Sequence, residues 1–256
     1  MRPGFSMPPA SPLYEMPPYH FKGNRSVNIV FRTTPEALRA LTPDPLLPNP
    51  HHLAFFYVGE YLMETPLKNC YKEAGVGIPV SYSDTEGNYM VYLYLDPACA
   101  IVPGREIWGL PRKDANIAFE ETPEGFTATV SRAGITLVTA AMKHGKRIDH
   151  ITAQPNIPSF NLKVIPSVKR GCPPDVMQIT ATTVSTVKRE LYRGSASLAF
   201  DSTPSDPLGR LPIVEILGGE FTLNDFVLDY GDVIFDYLKE PRYLEAALMK
   251  DEGGRY

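Results

Sequence analysis

The sequence predicts a mostly-β fold rolled into a closed or nearly closed barrel, with a few helices kept to its periphery. Three observations lead there. Prolines number 26 in 256 residues and are spread from end to end, so they punctuate short segments rather than mark one linker. Runs rich in β-branched and aromatic residues recur along the chain. Only two segments carry helix signals. So many strands in one chain favour closure, which removes exposed edges and encloses a pocket.

In chain order, the proline-rich residues 1–18 read as an extended arm lying over the body or over a neighbouring subunit. The first strand signal is VNIVFRT (27–33). TPEALRALTP (34–43) follows as a helix, with Thr34 as cap and Pro35 in the first turn. Further strand signals are LAFFYVGEYL (53–62), YMVYLYL (89–95), FTATVSRAGITLVTAAM (126–142), FNLKVI (160–165), VMQITATTVSTV (176–187), SASLAF (195–200) and GEFTLNDFVLDY (219–230). The last signal, FDYLKEPRYLEAALMK (235–250), is a helix expected to break at Pro241.

Composition bounds the function. With 43% apolar and 21% charged residues, and no run of 18 or more apolar residues, the chain reads as one soluble domain over 1–256 with no membrane partner. The N-terminus lacks the apolar core and cleavage site of a signal peptide, which makes the cytoplasm the expected location. Cys70, Cys99 and Cys172 are far apart and form no CxxC pair, so they are expected to be buried thiols rather than disulfides or zinc ligands. A formal net charge of -4 without a basic, aromatic-interleaved cluster argues against nucleic acid. The histidines are dispersed, which argues against a metal site, and no GxSxG elbow, phosphate loop or dinucleotide fingerprint is present.

One stretch carries a chemical signal: GREIWGLPRKDANIAF (104–119) places two cations at a strand entrance. Successive strand residues point to opposite faces, so an unbroken strand from 112 sets Lys113 with Ala115, Ile117 and Phe119, and Arg112 with Asp114, Asn116, Ala118 and Glu120. Parity thus puts Lys113 on the apolar face. Desolvation there would lower its pKa and make it a nucleophilic amine; a fall from about 10.4 to about 7 is equivalent to about 4 to 5 kcal/mol. The alternative is a lysine that snorkels to solvent from the strand end.

Five stretches, in this order and spacing, resemble the acetoacetate decarboxylase family over nearly the whole chain. They are ASPLYEMPPYHFKGNRSVNIVFRTTPEALRAL, CYKEAGVGIPVSY, YLYLDPACAIVPGREIWGLPRKDA, QPNIPSFNLKVIP and DVIFDYLK. The resemblance implies a cone-like, all-β barrel, commonly homo-oligomeric, in whose interior a lysine forms an imine with a small keto-acid substrate. It implies no cofactor, since the imine is the electron sink. On this reading Lys113, Glu73 and Arg25 are catalytic: nucleophile, proton handler and orienting cation. Arg112, Tyr94 and Trp108 line the substrate site.

The family's run after the proline is two lysines, of which the first is the nucleophile. Here the run is Pro111, Arg112, Lys113, so an ungapped alignment puts arginine at the nucleophile position. Two outcomes follow. Either Lys113 enters the pocket and Arg112 helps keep it neutral, or Arg112 faces inward and binds a carboxylate. The first predicts a Schiff-base lyase that decarboxylates acetoacetate or a related β-keto acid, or a pyruvate aldolase-dehydratase using the same imine. The second predicts a non-imine enzyme or a carboxylate-binding protein.

Overall fold

The computed structural model describes residues 10–65, 68–151 and 156–251. Its strands are β1 (Tyr19–Arg32), β2 (Leu47–Pro48), β3 (Leu53–Thr65), β4 (Asn69–Tyr82), β5 (Thr85–Asp96), β6 (Arg112–Asp114), β7 (Asn116–Thr122), β8 (Gly125–Arg132), β9 (Ile135–Lys143), β10 (Lys146–Arg147), β11 (Ser159–Ile165), β12 (Val176–Thr182), β13 (Val184–Gly194), β14 (Ala196–Phe200), β15 (Glu215–Leu228) and β16 (Asp232–Asp236). Ten of them form a large sheet in the order β10-β13-β15-β1-β3-β4-β5-β11-β12-β16, with β2 added on β4 and β6 on β5. A second sheet runs β14-β9-β8-β7.

Every strand signal read from the sequence overlaps one of these strands or, for residues 126–142 and 176–187, two of them, with mismatches of one or two residues at the ends and at the turns. The expected closure takes a different form. Among the described residues β10 and β16 end the large sheet without pairing to each other, so no ladder closes a barrel. The chain bridges the gap instead. β12 and β13 are one run broken only at Thr183; its first half pairs with β11 and β16, its second half with β15. A strand that changes partners at a bend makes a corner, which brings the sheet's two ends together without a hydrogen-bonded seam.

β4 gives no strand signal in the sequence because of Gly75, Gly77 and Pro79, yet it lies at the centre of the sheet. Its glycines are places where aromatic rings cross the strand. A Cβ on Gly77 would come within 2.3 Å of the Phe55 ring, and one on Gly75 within 2.8 Å of the Tyr57 ring.

The large sheet has two packed faces. One carries Ile29, Phe56, Val76 and Tyr94 and packs on Ile117, Phe119, Val130 and Leu137 of the small sheet. The other carries Phe21, Tyr71, Leu93 and Leu95 and packs on Trp108. Adjacent residues of β5 thus serve different cores, as the two-residue strand period requires.

Helix α1 (Pro35–Leu41) begins as expected: Thr34 Oγ1 accepts from Ala37 N at 3.2 Å and Pro35 fills the first turn. Pro241, by contrast, opens helix α2 (Pro241–Asp251) instead of breaking one, because residues 232–239 are already spent on β16 and a 3-10 turn. The three cysteines expected inside are all exposed. Residues 1–9 of the expected arm lie outside the described residues; further along it, the Tyr14 hydroxyl donates to Glu106 at 2.8 Å. No helix of the described residues is long and apolar enough to cross a membrane.

Candidate active site

The GREIWGLPRK stretch is not simply a strand entrance. Residues 98–108 form consecutive helical turns, the last of them a π-helical turn over Gly104–Trp108. Gly109 ends it with φ 74° and donates its N–H to Gly104 O; a Cβ there would collide with the Lys163 backbone at 2.7 Å. The chain then enters β6, three residues that pair parallel with β5 so that Arg112 lies beside Leu93 and Lys113 beside Tyr94. Because Leu93 and Tyr94 serve opposite cores, Arg112 and Lys113 do too.

Arg112 turns to the Leu93 side and is 5% exposed. Its Nη2 donates to Glu73 Oε2 at 2.8 Å, its Nη1 to Ala100 O at 2.7 Å, and its guanidinium lies 5.9 Å from the centre of the Tyr71 ring. Gly104 has no side chain because the Arg112 Cδ would meet its Cβ at 2.5 Å. Glu73 is equally enclosed, and its Oε1 accepts from the Tyr57 hydroxyl at 2.6 Å. Gly75 makes that contact possible by leaving room for the Tyr57 ring. Burial alone would weaken the guanidinium's hold on its proton, but Glu73, Tyr71 and Tyr57 together outweigh it and raise the Arg112 pKa, so the guanidinium stays charged. Burial, and then the charge of Glu73, hold the Tyr57 and Tyr61 hydroxyls well above their ordinary range, so both are neutral phenols at pH 7.

These groups form one wall of a cavity of about 260 Å³. Met90, Trp108, Leu110, Val184, Phe226 and Leu228 supply its apolar lining, and Ser159, Asn161 and Thr182 reach it from β11 and β12. The indole of Trp108 is fixed by donating to Asp229 O at 2.9 Å and by the edge of Tyr19. The cavity therefore offers a buried guanidinium, neutral phenols and an apolar surround, the setting for a small anionic ligand.

Three kinds of comparison agree on what this architecture is. The family model described as acetoacetate decarboxylase matches residues 6–238. The chain belongs to the acetoacetate decarboxylase family. The acetoacetate decarboxylase of Paraburkholderia phytofirmans is 31% identical over 241 residues, covering 93% of this chain and 94% of that protein. That of Clostridium acetobutylicum is 32% identical over 238 residues, covering 91% and 96%. A solved acetoacetate decarboxylase structure superposes with a TM-score of 0.83 at 29% identity, covering 92% of this chain and 96% of that one. The Legionella pneumophila acetoacetate decarboxylase structure gives 0.78 at 27%, covering 91% and 94%. The enduracididine biosynthesis enzyme MppR, at 20% identity and a TM-score of 0.76, shares the fold. The chain is thus an enzyme of the acetoacetate decarboxylase family, whose relatives above are named for a keto acid.

Against that family background, Glu73, Arg112 and Trp108 meet in the cavity, and the other three expected residues do not. The unbroken strand assumed for the parity reading does not exist: the chain breaks at Ala115, leaving Lys113 on β6 of the large sheet and Ile117 and Phe119 on β7 of the small one. Lys113 leaves the large sheet on the side that packs on the small sheet, and the cavity lies on the other. Its Nζ donates to Asp206 Oδ1 at 2.9 Å and to Ser205 O. Tyr94 points the same way, and its hydroxyl donates to Asp206 at 3.1 Å.

Arg25 also departs from its expected place. A register irregularity between Phe21 and Arg25 turns it to a half-exposed position, paired with Glu121 and 4.0 Å from Glu60. Its neighbour Asn24 is the buried one, donating to Asn224 O and accepting from Leu62 N at 2.9 Å. Sequence reasoning missed Tyr57, Tyr61, Tyr71, Ser159, Asn161 and Thr182. A signal existed for Tyr57, which lies opposite the glycine two residues beyond Glu73. For Asn161 the strand offers only an alternation of Ser159, Asn161 and Lys163 with apolar residues, which reads as a solvent-facing side.

Proposed function

We propose that this enzyme binds a small oxo acid in the Arg112 cavity and cleaves its carbon-carbon bond without a lysine imine. The observation that carries the reading is the Arg112–Glu73 pair inside the cavity, with Lys113 on the opposite face of the same strand, held by Asp206. For an imine, Lys113 would have to leave Asp206 and cross the sheet. An arginine at the family's nucleophile position cannot take that role, but it is a fixed positive charge with donors to spare.

With a β-keto acid, Arg112 donates to the ketone oxygen. As the bond to the departing carboxylate breaks, its electron pair moves into the carbonyl to give an enolate, whose oxygen charge the guanidinium neutralises, and CO2 leaves into the apolar part of the cavity. The enolate carbon then takes a proton from the Tyr57 hydroxyl held by Glu73, and water restores it. Cytoplasmic residence, homo-oligomerisation and a single domain over the whole chain belong to the same proposal; they are supported by the family alone.

The test is to titrate acetoacetate and pyruvate calorimetrically, then reduce each mixture with borohydride and measure intact mass. Binding or turnover without a mass increase is expected. A substrate-dependent adduct mapped to Lys113 would restore the imine route.

A further inference from the structure

Besides the Arg112 group, the cavity lining carries polar side chains from β11 and β12 whose atoms find no hydrogen-bond partner among the described residues. Ser159 and Thr182 face each other across β11 and β12, and Asn161 follows Ser159 by two residues on the same face. Asn161 is fully buried and Thr182 is 3% exposed. The Asn161 carboxamide nitrogen and oxygen, the Ser159 hydroxyl and the Thr182 hydroxyl all lack a hydrogen-bond partner among the described residues. The neighbouring Thr180 differs: its hydroxyl donates to Trp108 O at 2.6 Å, so the strand pair can satisfy a polar side chain when that side chain serves the fold.

Four unsatisfied polar atoms on one patch of one cavity cost far more than scattered exceptions, because each buried group left unpaired forfeits about 1–3 kcal/mol. An apolar patch would pack better if the ligand's far end were a methyl group. The patch also has a definite chemistry. The carboxamide both donates and accepts, and so do the two hydroxyls.

We infer that Asn161, Ser159 and Thr182 read the end of the substrate remote from the group held by Arg112, and that this end carries a hydroxyl or carboxamide. This rests on the oxo-acid reading above and deepens it. The preferred substrate is then a polar-tailed oxo acid, and acetoacetate, which ends in a methyl group, is a poor match. A site built to hydrogen-bond such a group discriminates strongly against the apolar isostere, since the isostere leaves the buried partners unpaired.

The test uses two acids that differ only at the far end: 4-hydroxy-2-oxobutanoate, and 2-oxopentanoate with a methyl in place of the hydroxyl. Their dissociation constants are measured on the full-length protein and on Asn161→Leu, Thr182→Val and Arg112→Met. The hydroxy acid is expected to bind wild type about tenfold tighter or more. Asn161→Leu should erase or reverse that preference, and the near-isosteric Thr182→Val should reduce it, while Arg112→Met weakens both acids alike. Equal affinities, or tighter binding of 2-oxopentanoate, with both still dependent on Arg112, would overturn this inference and leave the oxo-acid reading standing. Failure of wild type to bind either acid, or binding indifferent to Arg112→Met, would overturn that reading and this inference with it. The wild-type comparison decides the matter even if a variant does not fold.

Discussion

Arg112 and Lys113 are adjacent in sequence and lie on opposite faces of one strand, each bound to its own carboxylate: Arg112 to Glu73 at 2.8 Å inside the cavity, Lys113 to Asp206 at 2.9 Å beside the second core. The two ion pairs belong to different tasks. Asp206 is 2% exposed in its side chain and also accepts from Arg132 at 3.0 Å and from Tyr94, so it ties the segment around residues 201–211 to the sheet. Lys113→Met is therefore expected to destabilise the fold by about 1–2 kcal/mol, a charged hydrogen bond discounted for the half-exposed lysine. Oxo-acid binding should stay intact, whereas Arg112→Met should weaken it. Urea unfolding and calorimetry on the two variants check the division; loss of binding in Lys113→Met would show that the lysine acts in the cavity.

The Arg112–Glu73 pair is desolvated on both sides, and removing one partner leaves the other charged and alone. Glu73→Gln is expected to cost about 3–5 kcal/mol of folding stability, and Arg112→Met added to it should recover part of that loss. A double-mutant cycle by denaturant unfolding measures the coupling. Additive effects would mean that Glu73 has another partner when the protein is in solution.

How much of this was legible beforehand depends on which periodicity a residue obeys. The strands with β-branched and aromatic runs were readable because side-chain chemistry and backbone preference agree there. β4 was not, since Gly75 and Gly77 are dictated by rings on neighbouring strands, a relation that local sequence does not carry. Parity grouped Lys113 with Ile117 and Phe119 on one strand, but the chain breaks at Ala115 and changes sheets, and parity could not say that the large sheet is buried on both faces, one against a second sheet and one around a cavity. The apolar company of Lys113 therefore pointed away from the site. Arg25 was lost to a register irregularity of the kind that flips a side chain to the other face. Glu73, Arg112 and Trp108 were found because family resemblance carries position even where it does not carry chemistry.

Substituting Arg112 by lysine puts an amine at the position where the family has its nucleophile, enclosed by Tyr71 and Glu73. Arg112→Lys is expected to gain a borohydride-trapped adduct with acetoacetate or pyruvate, at residue 112, that wild type lacks. Intact-mass measurement and peptide mapping read it directly. Absence of the adduct in a folded variant would mean that Glu73 holds the new ammonium too firmly for it to react, and Arg112→Lys combined with Glu73→Gln should then release it.

Two groups of ionisable residues set the stability of the fold at opposite ends of the pH scale. Burial alone would push the Asp206 carboxyl up, but the hydrogen bonds from Lys113 and Arg132 outweigh it and bring its pKa below the ordinary carboxylate range. A depressed folded value means that the stabilisation is fully present above the unfolded pKa of about 3.9 and is lost as pH falls through the folded value. The stability gap between wild type and Asp206→Asn should therefore be constant above about pH 5 and shrink below about pH 4. At the alkaline end burial raises the phenols: Tyr19 is pushed up to about 12, and Tyr57 and Tyr61 well above their ordinary value. The unfolded chain ionises these groups from about pH 10 while the folded one does not, so stability should fall as pH rises beyond that point. Urea unfolding from pH 3 to 11, with phenolate absorbance followed in parallel, tests both ends. A cavity tyrosine that ionised near pH 10 in the folded protein would show that water reaches the Arg112 wall, and would remove the low-dielectric setting that the proposed enolate chemistry needs.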